Sequence, residues 1–437
     1  MACSRLFICN TMGLKLRLIL LNFLQFAAWG AYLTSMGSYW AGAGFASQIW
    51  MFYGVQGVVS IFMPALMGIV ADRWMSANRV LAMCHTVAGV LMLVLGQYLM
   101  LGQSLNFSVV FVLYSVSVAF YMPTLALANS VAYNAFELYG VDSVRHFPVI
   151  RVFGTVGFIC AMLAVNFLHD ASGTQFQQSY QQFLISGWVS VVLALYSLTL
   201  PASSYGRGSA NDLVGALGLR AFSLFRQRGM ALFFIFSMLL GAALQVTNGY
   251  ANPFIAHFKD VPQFAHTWGA ANANALISLS QLSEMLCILL IPFFMRKCGI
   301  KVVLLISMLA WVLRFGLFGL GDTGARLWML VLSCVVYGIA FDFFNISGSL
   351  FVDKSTHPSI RSSAQGLFML MTNGLGSTLG TIGAGWVVNH FVYQSASPNW
   401  STAWLVFAGY AMAVAVLFLI LFRQVPTWTN KNDTVEQ

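Results

Sequence analysis

A chain of 437 residues with 8% charged and 59% apolar side chains cannot coat itself for water, which takes roughly 25% charge. Its net charge of +9 is carried by Lys and Arg scattered between apolar runs along the whole length, not gathered into a basic patch. Soluble enzymes and nucleic-acid-binding domains are excluded together.

Apolar runs near the ~20 residues that cross a bilayer recur from end to end. In chain order they predict helical spans near 18–39, 50–71, 80–101, 108–131, 149–168 and 180–200. A second set follows near 229–255, 269–295, 302–320, 327–350, 363–388 and 401–422. The expectation is an all-α integral membrane protein of twelve spans in two six-helix halves. Residues 1–200 form the N-terminal half, 201–228 a central loop and 229–437 the C-terminal half. The connections leave no room for a separate catalytic domain, and no reactive constellation of an enzyme stands at workable spacing. The first run is too long for a cleavable signal peptide, and residues 1–11 look expendable, with Met12 an alternative start.

Basic residues fall in alternate connections. Lys15 and Arg17, Arg73 and Arg79, Arg145, Arg207 to Arg228, Arg296 to Lys301, Lys354 and Arg361, and Arg423 lie on one side. The opposite connections hold only Lys259 and Arg326. Positive-inside bias therefore places both termini and the central loop in the cytoplasm. The seven Cys are scattered without metal-ligand spacing and read as mostly buried thiols, and His85 reads as a packing or hydrogen-bonding residue within its span.

The second connection reads Gly68-Ile69-Val70-Ala71-Asp72-Arg73, and its counterpart in the second half reads Arg296-Lys297-Cys298-Gly299-Ile300-Lys301. The first resembles the signature loop of the major facilitator superfamily and the second its degenerate copy, which implies that fold.

Ionisable groups inside spans are costly and usually face a water-accessible pathway. Four are visible: Arg151, Glu284, Arg314 and Asp342. Arg314 has two candidate partners, Glu284 or backbone carbonyls. Amides stand beside the acids at helical spacing: Gln245, Asn248 and Asn252 in span seven, Ser278, Gln281 and Glu284 in span eight, and Asp342, Asn345 and Ser349 in span ten. Lone polar residues such as Asn22, Ser278 and Ser349 commonly tie helix to helix. Gln245, Asn248, Gln281, Glu284 and Asp342 together exceed that need and predict a substrate cavity. Amides offer donor and acceptor at once, carboxylates accept from sugar hydroxyls, and Phe341 with its neighbours offers a stacking face. The chemistry fits a neutral, polyhydroxylated solute, so a nucleoside and a sugar both stay open. The absence of paired Arg or Lys in these spans disfavours phosphorylated substrates.

Longer runs are similar to the bacterial nucleoside–proton symporter family of the major facilitator superfamily, which includes the nucleoside and xanthosine permeases. They include Phe23-Leu24-Gln25-Phe26, Tyr121-Met122-Pro123-Thr124 and Ile150-Arg151-Val152-Phe153-Gly154-Thr155. Ser280-Gln281-Leu282-Ser283-Glu284 and Phe341-Asp342-Phe343-Phe344-Asn345 also match, the last most distinctively. The resemblance runs from about residue 14 to 422. It implies proton-coupled nucleoside import across a bacterial inner membrane, a proton in place of any cofactor, and a monomer in the lipid bilayer. It also implies a substrate site of Gln245, Asn248, Gln281, Glu284, Phe341 and Asp342, faced by Arg151 and Thr155. A symporter needs a carboxyl group that takes up its proton when dehydrated together with substrate. Asp342 is the first choice and Glu284 the second.

The charge alternation yields a direct test. Reporter fusions after Lys259 and after Arg220 are expected on opposite sides of the membrane; the same side for both overturns the topology.

Overall fold

A backbone inside hydrocarbon has to bond to itself, which leaves helices or closed barrels as the only spanning structures. The computed structural model describes residues 2–102, 105–141, 143–202, 219–356 and 361–422. Among these the sole β feature is one isolated bridge, His169 to Gln175. The α-helices of the first part are α1 Ala2–Gly30, α2 Met36–Trp40, α3 Ile49–Arg73, α4 Ala77–Met100, α5 Phe107–Leu138, α6 Ser143–Phe167 and α7 Gln181–Ser197. Those of the second are α8 Arg228–His257, α9 Trp268–Ala271, α10 Ala273–Cys287, α11 Ile291–Leu320 and α12 Leu327–Ser355. The last three are α13 Arg361–Met369, α14 Ser377–Val388 and α15 Trp400–Leu421.

Nine helical stretches among the described residues are long and apolar enough to cross a membrane. The predicted sixth span is α7, at 17 residues somewhat short. The predicted eighth and eleventh are divided. In the eighth, α9, α10 and a 3₁₀ turn at Ile288–Leu290 lead into the start of α11. Gly299, at φ 72° and ψ 166°, then breaks α11, and no β-carbon-bearing residue adopts that angle cheaply. The break falls in the basic connection predicted between spans eight and nine. The eleventh runs from α13 through a π-helical stretch, Leu370–Gly376, into α14. The first predicted span, 18–39, also departs from one continuous helix: α1 stops at Gly30 and α2 begins at Met36. Most of the central loop, the end of the chain and the side chains of Asp72 and Arg73 lie outside the described residues.

Contacts divide the chain into two units. Unit one gathers Met1–Asn211, Thr247–Gln281 and Thr323–Ala325; unit two gathers Asp212–Val246, Leu282–Asp322 and Arg326–Gln437. In unit one, Leu18, Leu21, Leu81, Val131, Phe136 and Leu193 form a buried core shared by α1, α4, α5 and α7. Trp188 and Leu195, also on α7, are exposed, where a soluble protein would place charge. In unit two, Trp404 packs on Phe315 and Phe318, with ring centroids 5.8 and 4.8 Å away.

Buried polar groups in unit one are tied to each other. The Thr34 hydroxyl donates to Asn274 Oδ1 at 2.9 Å, and Asn252 Nδ2 donates to the same oxygen at 2.7 Å. The Ser38 hydroxyl donates to Asn252 Oδ1. Asn166 donates to Asn272 Oδ1 at 2.8 Å and receives Gln177 Nε2 at 3.0 Å. These bonds join the α1–α2 turn and α6 to the end of α8 and the start of α10. Asn252 is therefore a helix-joining residue, not a free member of the span-seven polar face.

Asn274→Leu removes the shared acceptor and strands two buried donors, at about 1–3 kcal/mol for each. A lower melting temperature in detergent is expected, and Thr34→Val added to it should cost less than it does alone. Full additivity in that double-mutant cycle would mean the bond carries no stability.

Candidate functional site

The eight predicted site residues sit on four helices: Arg151 and Thr155 on α6, Gln245 and Asn248 on α8, Gln281 and Glu284 on α10, Phe341 and Asp342 on α12. The unit boundary passes through α8 and α10. Arg151, Thr155, Asn248 and Gln281 thus belong to unit one, and Gln245, Glu284, Phe341 and Asp342 to unit two.

In unit one the Arg151 guanidinium lies over the Phe26 ring, 4.0 Å from its centroid. Gly154 makes the room: a β-carbon there would stand 2.6 Å from Phe26 Cδ2 and 2.9 Å from Arg151 Nη1. Phe26 leads into an aromatic group in which Trp29 meets Tyr121 at 6.0 Å and Phe158 edge-on at 6.3 Å. Behind it, the side chain of Gln25 is fully buried and spent on structure. Its Nε2 donates to the Thr124 hydroxyl at 2.7 Å, its Oε1 lies 2.8 Å from His85 Nε2, and its carbonyl accepts from the Tyr121 hydroxyl at 2.6 Å. His85 is the local hydrogen-bonding residue that its position predicted.

In unit two α10 and α12 touch backbone to backbone. A β-carbon on Gly338 would fall 2.5 Å from the Ser283 carbonyl oxygen, and the Ser283 hydroxyl donates to the Val335 carbonyl. Ser283 immediately precedes Glu284, and Gly338 stands one turn before Asp342, so this crossing sets the level of both acids. Asp342 is 3% exposed; Phe341, Glu284 and Gln245 are half-buried. Phe341 stacks parallel on Tyr337, with centroids 5.8 Å apart and planes 9° apart. Phe341 also lines a small, partly open cleft with Trp311, Phe344, Asn345, Thr372 and Asn373.

Hydrogen bonding separates the polar residues of the spans into two kinds. Asn22 donates back to the Leu18 carbonyl and Ser278 to the Ala275 carbonyl, while Ser349 and Gln365 bond each other between α12 and α13. Arg314, fully buried on α11, lies over the rings of Tyr337 and Phe318 and donates from Nη1 to the Ser333 carbonyl at 2.6 Å, and Ser333 returns a bond to the Arg314 carbonyl at 2.9 Å. It clamps α11 to α12. Half-buried Gln245, Asn248, Gln281 and Thr155 behave differently: none forms a side-chain hydrogen bond with any described residue. Donors and acceptors left unspent at this depth are what a polar ligand needs.

Two features were not among the predicted site residues. The Phe26 ring under Arg151 stood in a recognised run but carried no polar atom to mark it. The Thr372-Asn373 pair could have been noticed as two polar residues before a Gly-Leu-Gly run inside an apolar span.

Residues 12–427 match the profile of a family described as nucleoside H+ symporters. Nucleoside permease NupG of Escherichia coli is 45% identical over 431 residues, covering 96% of this chain and 99% of the relative. The xanthosine permease of the same organism is 44% identical over 421 residues, covering 94% and 96%. A crystal structure of nucleoside transporter NupG superimposes with a TM-score of 0.84 at 44% identity, covering 94% of this chain and all of that one. A D-xylose–proton symporter, at 13% identity and a TM-score of 0.68, shares the fold alone. With its helices, its unspent amides and matches over nearly its full length, this chain belongs to the nucleoside–proton symporter family and has the major facilitator fold.

Proposed function

We propose that the protein imports nucleosides together with protons across the bacterial inner membrane by alternating access. The observation that carries this reading is the set of half-buried amides, Gln245, Asn248 and Gln281, which bond to no described residue in a family of nucleoside H+ symporters. Amides match the mixed donor and acceptor edges of a base or the hydroxyls of ribose. Glu284 and Asp342 accept from ribose hydroxyls, Phe341 offers a stacking face, and Arg151 and Thr155 are further substrate ligands. Residues 1–200 and 229–437 act as two six-span halves joined by the loop 201–228, with both termini in the cytoplasm. The protein works as a monomer in the bilayer, and the proton is its only coupling partner.

Coupling falls to Asp342, with Glu284 second. A carboxylate among Phe343, Phe344 and the hydrophobic cluster of Cys287 and Ile291 is costly to keep charged. Taking up a proton as substrate enters removes that cost, and releasing it to the cytoplasm restores the charged form. One proton moving inward gains ~2.3 kcal/mol per 100 mV of membrane potential, enough to concentrate a neutral solute.

Gln245→Ala, Asn248→Ala and Gln281→Ala are each expected to weaken nucleoside binding roughly five- to 150-fold, the worth of one lost bond of about 1–3 kcal/mol in a dry site. Unchanged binding in all three purified variants would assign the amides to structure. Free pentoses and disaccharides should fail to compete for uptake.

Asp342→Asn keeps shape and some hydrogen bonding but carries no proton. In vesicles acidified outside, it is expected to bind nucleoside without concentrating it. Accumulation against a gradient by this variant would move the coupling role to Glu284.

A further inference from the structure

The cleft beside Phe341 contains two polar residues that the site described so far does not use. Asn345 lies one turn beyond Phe341 on α12, half-buried, and makes no side-chain hydrogen bond with any described residue. Asn373 is exposed into the same cleft, and its one bond to a described residue runs from Nδ2 to the Met369 sulfur at 3.4 Å, a weak acceptor. The third polar lining residue, Thr372, is spent: its hydroxyl donates to the Phe368 carbonyl at 2.9 Å. Asn252, an amide serving structure, has both ends bonded across helices. Asn345 and Asn373 do not.

The backbone explains how Asn373 arrives there. Residues Leu370–Gly376 are wound as a π-helix, which inserts residues into the helical register and recurs at functional sites. The same stretch is pressed against α8. A β-carbon on Gly241 would lie 2.2 Å from the Thr372 carbonyl oxygen, and one on Gly376 2.4 Å from the Met238 carbonyl oxygen. Contact that close anchors the π-turn on both sides of Asn373, while Asn373 itself stays open to the cleft. The rings of Trp311, Phe341 and Phe344 and two amides with unspent donors and acceptors suit a flat heterocycle whose edge carries both.

We infer that Asn373, held by the π-turn and seconded by Asn345, reads the edge of the nucleobase stacked at Phe341 and sets which bases are preferred. The inference rests on the nucleoside reading above and adds specificity residues to it. The two Asn373 variants differ in what they leave behind. Leucine removes donor and acceptor at similar volume; aspartate keeps only acceptors.

The test measures dissociation constants of adenosine, cytidine, uridine and inosine on purified protein. Asn373→Leu is expected to weaken binding roughly five- to 150-fold for the bases it contacts and to change their ranking. Asn373→Asp should shift preference toward adenosine and cytidine, whose exocyclic amines donate, and away from uridine and inosine, whose carbonyls accept. Asn345→Leu should flatten the ranking in the same sense but less. Rankings that stay within about twofold of the unaltered protein in both Asn373 variants would overturn the inference and leave the nucleoside reading standing. A uniform loss of affinity with no change in ranking would also overturn it. If Asn373→Leu does not fold, the Asn373→Asp ranking decides alone. Failure of the unaltered protein to bind any of the four would overturn both readings.

Discussion

Inside a bilayer every polar atom must find its partner within the protein, because an unsatisfied donor or acceptor there costs several kcal/mol. That constraint orders several polar clusters among the described residues. Gln25 divides its three polar groups among Thr124, His85 and Tyr121, and Asn274 gathers Thr34 and Asn252. Arg314 has two rings beneath it and a carbonyl at its tip. Against these cross-helix pairings, amides whose side chains bond to no described residue stand out. A soluble protein offers no such contrast, since water satisfies an idle amide anywhere on its surface.

Close approach of helices is the second element, and it depends on where side chains are missing. In hydrocarbon there is little hydrophobic drive between helices, so contact area and backbone proximity have to supply the attraction. At Gly338 backbone contact joins α10 and α12, the helices that carry Glu284 and Asp342. At Gly241 the meeting of α8 with the π-turn holds Asn373 beside the cleft. Gly154 clears the space in which Arg151 lies over Phe26. Small residues here place the chemistry without taking part in it.

The charged residues of the spans divide by the same logic. Arg314 and Arg151 both lie over aromatic rings, yet Arg314 is sealed at 0% exposure while Arg151 remains half-open. A sealed cation is fixed in one role.

Much of this protein was legible in its residues alone. Hydrocarbon demands long apolar runs, so most of the spans and the ionisable groups within them could be read by counting. The match of the span-ten run Phe341 to Asn345 carried the family, because a local string survives without knowledge of its neighbours. What only the tertiary structure decided is which polar residues are occupied. Asn252 and Gln245 share one face of one helix and look alike in the sequence, yet Asn252 is bonded on both sides and Gln245 to no described residue. The π-turn that carries Asn373 into the cleft is likewise hidden, since helical periodicity assumes 3.6 residues per turn and fails where the register changes. Pairing is a property of two chain segments brought together, and no single segment records it.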